Sequence, residues 1–416
     1  MKRILFSAVL AGGMLQNASA QAVVSDSVIT GPNYANTIWY SLQNDEQGSQ
    51  PSDNWHIALA SSVSPTSGLS ATVLFNHKMG TVYAIPGSSA ANFNAADTAG
   101  LSTWAPLYNS DIKWGGEGAF NSIGAGHPDY GWGDYQANHT GISASRVFVL
   151  KLAGNVYKKV TIDLTWAGGY TLKYSNIDNS GVETQIVPIT PYGSKNFVYY
   201  SVTANAIVDR EPASADWDLT FTQYPTLTMG VKYLVAGILH NQGVQIAKVH
   251  PVANPATYTD WSSATFSDNI NTIGYNWKNA GQGGVTIEDS LVYFVKAKDG
   301  ALWKVIMTGF VGASAGKYYF TKQKLSGLSV NELEAEVFMT VYPNPANESV
   351  SLVLDNADAS DIKIYSLTGS LVYTTSVSGN GLQQIQIPVT EFSNGLYQVV
   401  CTSKGKTVTQ KLMVQH

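Results

Sequence analysis

Four residues between positions 60 and 145 carry an imidazole or thioether able to hold a metal: His77, Met79, His127 and His139. Flat rings gather around them, namely Trp104, Trp114, Tyr130, Trp132 and Tyr135. The run GAGHPDYGWGDYQANH at 124–139 is the densest cluster of Gly and aromatic residues in the chain. Flexible backbone beside flat side chains suits stacking on a flat ligand, with Trp114, Tyr130, Trp132 and Tyr135 as walls of an aromatic cleft. A surface or hydrogen-bonded histidine is the plainer reading of each imidazole. The later interval holds Met229, His240 and His250, of which His240 reads as a structural turn residue and His250, preceding Pro251, as a loop residue.

Other chemistry is weaker still. Gly312-Ala313-Ser314-Ala315-Gly316 fits G-x-S-x-G, but a hydrolase elbow needs a strand–turn–helix setting, and these small residues read as a hairpin loop. Asp111, Glu117, Asp129 and Asp134 nominate no glycosidase pair, and solvated loop acids are the default. No zincin, P-loop or calcium-loop spacing occurs. The expectation is a protein without catalytic residues, and with no metal site beyond a ligand's own iron.

The elements that must position these residues are strands. Of 416 residues only 13% are charged, against ~25% in an ordinary soluble domain. Rich Tyr, Trp, Val and Thr with Gly and Asn punctuation predicts an all-β chain. A net charge of −5 without any Lys/Arg-rich run excludes a nucleic-acid binder. One Cys excludes an internal disulfide framework and any cysteine-cluster metal site.

Residues 1–20 read as a signal peptide: Lys2 and Arg3, the apolar stretch Ile4–Leu15, then Ala18-Ser19-Ala20. No Cys follows the expected cleavage point, so a lipoprotein anchor is not expected, and no other stretch is apolar enough to span a membrane. From Val341 to the end, six alternating segments with Gly or Asn between most of them predict a small β-sandwich.

The middle repeats itself. TIWYSL then SDNWHIAL at 37–59 parallels FVYYSV then SADWDLTF at 197–221. VFVLKLAGNVYKKV at 147–160 aligns without gaps with VYFVKAKDGALWKV at 292–305, each a hairpin followed by a further strand. His56 follows Trp55 where Asp218 follows Trp217. Neighbouring strand residues face opposite sides, so a structural Trp with a polar neighbour accounts for both. We expect lobe one at 28–190 and lobe two at 192–326, crossing near Pro188, Pro191 and Gly193. A linker at 327–340, kept solvated by Glu332, Glu334 and Glu336, leads to a terminal domain at 341–416.

Two resemblances follow from these residues. Tyr342-Pro343-Asn344-Pro345, KIYSLTG at 363–369, Asn394-Gly395-Leu396-Tyr397 and LMV at 412–414 resemble the C-terminal sorting domain of the type IX secretion system of Bacteroidetes. That implies the type IX machinery as partner, passage through the outer membrane, and removal of the domain. The product would then be secreted or attached to the cell surface. Trp217-Asp218-Leu219-Thr220-Phe221-Thr222-Gln223-Tyr224 is similar to the WDxxFTxY element of HmuY-like proteins, with further likeness at 235–249, 273–279 and 292–310. This second resemblance implies two HmuY-like lobes and capture of haem, free or from a host haem protein, between His or Met axial ligands. It singles out no pair, and His77, Met79, His127 and His139 are the candidates. Neutral imidazole is the ligating form, so capture is expected to weaken below pH ~6.5. The alternative is an adhesion or matrix protein using the same fold to contact protein or glycan without haem.

Overall fold

Runs of Val, Ile, Tyr and Thr form strands here because their side chains pack on a half-buried pleated surface, while Gly and Asn supply the turns between them. The computed structural model describes residues 22–63, 68–281, 284–326, 338–355, 360–377, 383–403 and 406–416. The expected signal peptide and most of the expected linker lie outside these. Among the described residues only short 3-10 segments interrupt the strands, and no helix is long and apolar enough to cross a membrane. The chain forms two units that part at residue 327.

In the first unit the strands are β1 (Val24–Ile29), β2 (Asn36–Ser41), β3 (Asp45–Pro51), β4 (Ile57–Ala60), β5 (Val73–Phe75) and β6 (Gly80–Ala84). There follow β7 (Gly133–Tyr135), β8 (Gly141–Ala144), β9 (Phe148–Leu152), β10 (Val156–Thr165), β11 (Gly169–Asn176), β12 (Glu183–Val187), β13 (Phe197–Ser201) and β14 (Ala206–Val208). The rest are β15 (Leu219–Thr228), β16 (Val231–His240), β17 (Gln245–Val249), β18 (Lys278–Gly281), β19 (Gly284–Ile287), β20 (Val292–Lys296), β21 (Leu302–Val311) and β22 (Lys317–Ser326).

Four of the sheets matter for the site. Two are large: β1-β22-β21-β20-β17, and β12-β11-β10-β8-β7 with β9 bridging β10 to β6. Two are four-stranded: β14-β13-β4-β5 and β16-β15-β2-β3. The short hairpin β18-β19 stands apart from them.

This pairing divides the chain differently from the two lobes drawn on sequence. One core joins Ile57, Phe75, Phe148, Ile162 and Leu172 to Val198 and Tyr200. The other joins Val28, Ile38 and Tyr40 to Leu219, Phe221, Tyr293, Val305 and Phe320. The first core is therefore built from 57–202, and the second from 28–42 together with 219–320. Each repeat lends its first strands to the other: β2 pairs with β15 and β13 pairs with β4, both antiparallel. Alternation marks a strand and its buried face, but it does not say which distant strand fills the open edge.

The duplication itself reappears atom by atom. His56 N–H donates to Tyr200 O, and Asp218 N–H donates to Tyr40 O. Asn76 and Asn241 each donate from the backbone to the residue after the Trp, His56 or Asp218, and each donates from the side chain to the Trp carbonyl. Lys159 and Lys304, aligned in the gap-free match, are both buried. Lys159 Nζ reaches the carbonyls of Asn94 and Ala96, and Lys304 Nζ those of Pro255, Ala256 and Tyr258. Each thus closes the loop lying over its sheet.

The second unit is a sandwich of β23 (Phe338–Tyr342), β24 (Ser349–Asp355), β25 (Ser360–Ser366), β26 (Leu371–Val377), β27 (Gln383–Pro388), β28 (Gly395–Ser403) and β29 (Lys406–Val414). Its sheets are β23-β24-β27 and β26-β25-β28-β29, closed over Leu352, Ile364, Val399, Leu412 and the buried Cys401. The motif residues meet in space. Asn344 donates to Lys411 O and accepts from Met413 N–H, both at 2.8 Å, so the YPNP turn is bound to the final LMV strand. Asn394 Oδ1 accepts from His416 N–H.

Candidate functional site

Strand alternation decides what faces the space between the two cores. Tyr40 and Tyr200 point into the cores, so their neighbours Trp39 and Tyr199 point the opposite way. Trp55 and Trp217, aligned in the repeat, open the next strand of each copy. These four rings line one pocket enclosing about 100 Å³, with Phe197, Leu74, Leu239, Trp114 and Tyr224 around them. Both repeats contribute equivalent faces, and the strand exchange is what brings them together.

The pocket is not symmetric in charge. Arg210 enters it from the segment after β14 and is 5% exposed. Its guanidinium lies 5.2 Å from the Trp39 ring centre, 5.5 Å from Trp55 and 5.1 Å from Tyr199. A desolvated cation over three rings gains attraction from their quadrupoles. Its one hydrogen bond among the described residues is a long 3.4 Å contact from NH1 to Asn54 Oδ1. Burial pushes its pKa down to about 10. Beside it Glu211 accepts from the Asn196 and Phe197 N–H groups and from the Tyr199 hydroxyl. Burial nevertheless raises Glu211 to about 7. Four residues of the pocket wall each carry a buried polar atom without a partner: Arg210 Nε, Trp217 Nε1, Thr220 Oγ1 and Tyr224 Oη. Buried polar groups are nearly always paired, so four such residues around one cavity set it apart.

The sequence-nominated residues divide among several places. His77 lines this pocket, stacks on Tyr108 at 5.2 Å, and accepts the Asn109 N–H on Nε2 at 3.2 Å. Burial, with Lys232 nearby, pushes it down to about 3, so it is a neutral acceptor already in use. Met79 sits on the adjacent turn, where its N–H closes on Asn76 O. His127 and Tyr130 instead line an open depression of about 580 Å³ formed by the 124–130 loop. His139 lies outside it, its Nδ1 3.1 Å from the Tyr135 hydroxyl. His127 and His139 both pack on the Tyr135 ring, at 4.9 and 5.7 Å. Neither pocket holds two of the four candidate ligands, and no cluster of three His, Cys, Asp or Glu able to hold a metal occurs among the described residues. The residues present do not fit haem held between two axial ligands.

The aromatic cleft is corrected as well. Trp132 is wholly buried in the first core, its Nε1 donating to Ala71 O at 3.2 Å, and Trp114 belongs to the inter-core pocket, donating to His240 O. The 124–139 loop has a structural centre, Asp129, which accepts from both terminal guanidinium nitrogens of Arg146, Nη1 and Nη2, at 2.7 and 2.8 Å. That pairing holds the Asp129 carboxyl down at about 2. His56 and Asp218 serve one structural role: His56 Nδ1 accepts from Val202 N–H and Asp218 Oδ2 from Leu42 N–H, each capping the turn of an exchanged hairpin. His240 and His250 are structural, the first held between the carbonyls of Asn241 and Asn269, the second beside Glu288. The 312–316 loop is a hairpin connection, as read.

Sequence reasoning missed Arg210 and Glu211. A signal was present. The chain has three arginines, Arg3, Arg146 and Arg210, and only Arg210 stands next to an acid and seven residues before a repeat tryptophan.

Comparison with known proteins bears on the second unit. Residues 340–415 match the secretion system C-terminal sorting domain family. The chain thus carries a type IX sorting domain, and its fate is export to the cell surface or the medium. No curated protein matches the chain. Among solved structures it is similar to a biofilm associated protein, BSP domain, at 12% identity and a TM-score of 0.20, over 96% of this chain and 82% of that one.

Proposed function

We propose that the exported product is a non-enzymatic binding protein that contacts glycans at the cell surface through the pocket between its two cores. The observation that carries this reading is the pocket wall: flat rings from both repeats, interrupted by buried polar atoms without partners. Rings pack on the apolar part of a sugar substituent that enters the pocket while N–H and O–H groups meet its oxygens, and few precisely placed polar groups fix orientation in such sites. Haem is set aside because the four candidate ligands do not converge and the pocket is far too small for a porphyrin.

A glycan array with the full chain tests the proposal. Binding to a defined set of glycans is expected, and Trp55→Ala should abolish it. Haemin mixed with the same protein should give no shifted Soret band. A shifted band that depends on His127 or His77 would return the site to haem.

A further inference from the structure

The four orphaned atoms say more than that something binds. Arg210, Trp217, Thr220 and Tyr224 are all at least nine-tenths buried. A guanidinium Nε and an indole nitrogen can only donate, and the two hydroxyls donate on rotation. Three acceptors on the wall are already engaged. Glu211 takes two backbone N–H groups and the Tyr199 hydroxyl, and Asn109 Oδ1 takes the N–H of Phe75 and Ala119. Asn76 Oδ1 takes that of Lys78. Arg210 has no ion-pair partner among the described residues, since Glu211 and Asp53 act on it only through space.

A buried cation without an ion pair, among spare donors, asks for an anion that only accepts. The space is smaller than the ~150 Å³ cavity that holds a benzene ring, so it admits the end of a ligand rather than a whole sugar ring. We infer that the pocket receives a carboxylate group, carried by an acidic sugar or by a small organic acid, with Arg210 as its charged partner and the Trp217, Thr220 and Tyr224 donors around it. This rests on the pocket being the binding site, as proposed above.

The test is titration of the full chain with sodium galacturonate, sodium acetate and galactose, followed by tryptophan emission, because Trp39, Trp55 and Trp217 wall the cavity. Saturable change with galacturonate and none with galactose is expected. Galacturonate binding tighter than acetate assigns an acidic sugar, and equal binding assigns a free organic acid; both support the carboxylate. Arg210→Met should weaken galacturonate by about tenfold or more. Thr220→Val and Tyr224→Phe should also weaken it while raising the melting temperature, since each removes an orphaned polar group. A merely structural hydroxyl would leave the titration unmoved. Galactose acting as strongly as galacturonate overturns the carboxylate but keeps the pocket. Silence towards both acids overturns it too, and array binding that survives Trp55→Ala removes the pocket reading itself.

Discussion

Single residues show the duplication being kept and varied at once. Tyr40 and Tyr200 hold equivalent places, yet one is set among charges and the other among neutral groups. The Tyr40 hydroxyl meets Asp26 at 2.5 Å, Asp45 and Lys322, whereas the Tyr200 hydroxyl meets Asn205 and Tyr174. His56 and Asp218 are a similar pair, an imidazole and a carboxyl, each capping the equivalent turn. Asp218 also accepts the Lys298 N–H at 2.7 Å, so Asp218→Ala should cost about 1–3 kcal/mol, and His56→Ala less, by urea unfolding at neutral pH. The pH signature of His56 has the opposite sense to those of Asp218 and Glu211, whose carboxyls are both pushed up by burial. His56, lowered to about 4, destabilises the fold as pH falls from ~6.5 towards 4, because the unfolded chain takes up the proton first. Glu211, raised to about 7, holds its proton in the folded state between ~4.5 and 7, so the stability it confers is lost as pH rises through that window. Unfolding curves at pH 4.5, 5.5 and 7.5 should show that Glu211→Gln removes this fall. The Trp–polar pairs were legible in sequence because both members are local. Arg210 was not, since its three rings come from β2, the loop before β4, and β13.

Elements were the most legible level where the pattern is short-range. The expected segments of the terminal sandwich, SVSLVL through KTVTQKLMV, coincide with β24 to β29 nearly residue for residue. The gap-free match likewise became β9-β10 and β20-β21, hairpins with equivalent register. Their buried lysines give a check at this scale. Lys304→Met would leave the carbonyls of Pro255, Ala256 and Tyr258 without their common donor. It should destabilise the unit by roughly 1–3 kcal/mol and raise hydrogen exchange in the 254–258 loop. Lys159→Met should do the same, more mildly, around 94–96, where two carbonyls are held rather than three. The aromatic-rich run at 124–139 misled because composition does not distinguish a ring that lines a cleft from one that fills a core. Trp132 fills the core, and its neighbours hold a loop through Asp129 and Arg146.

At the scale of the whole molecule, the exchange of strands was invisible in sequence, since pairing between residues 39 and 220, or 58 and 199, leaves no local trace. It has a consequence for cooperativity. Each core contains strands from both repeats, so residues 22–326 should unfold in one transition by calorimetry. A fragment cut at residue 190 should not fold, because it removes β13 and β14 from the first core and leaves β2 without β15. Truncation after residue 326 should leave the main transition where it is, since the sorting domain has its own core. The exchange also brings equivalent faces of the repeats around one pocket, the place where we propose that the exported protein binds. Calorimetric titration of the full chain and of its Arg210→Met variant, with the glycan strongest on the array, tests this most directly. Saturable heat is expected from the first and none from the second, with both proteins melting as folded chains. Identical isotherms from the two would contradict it.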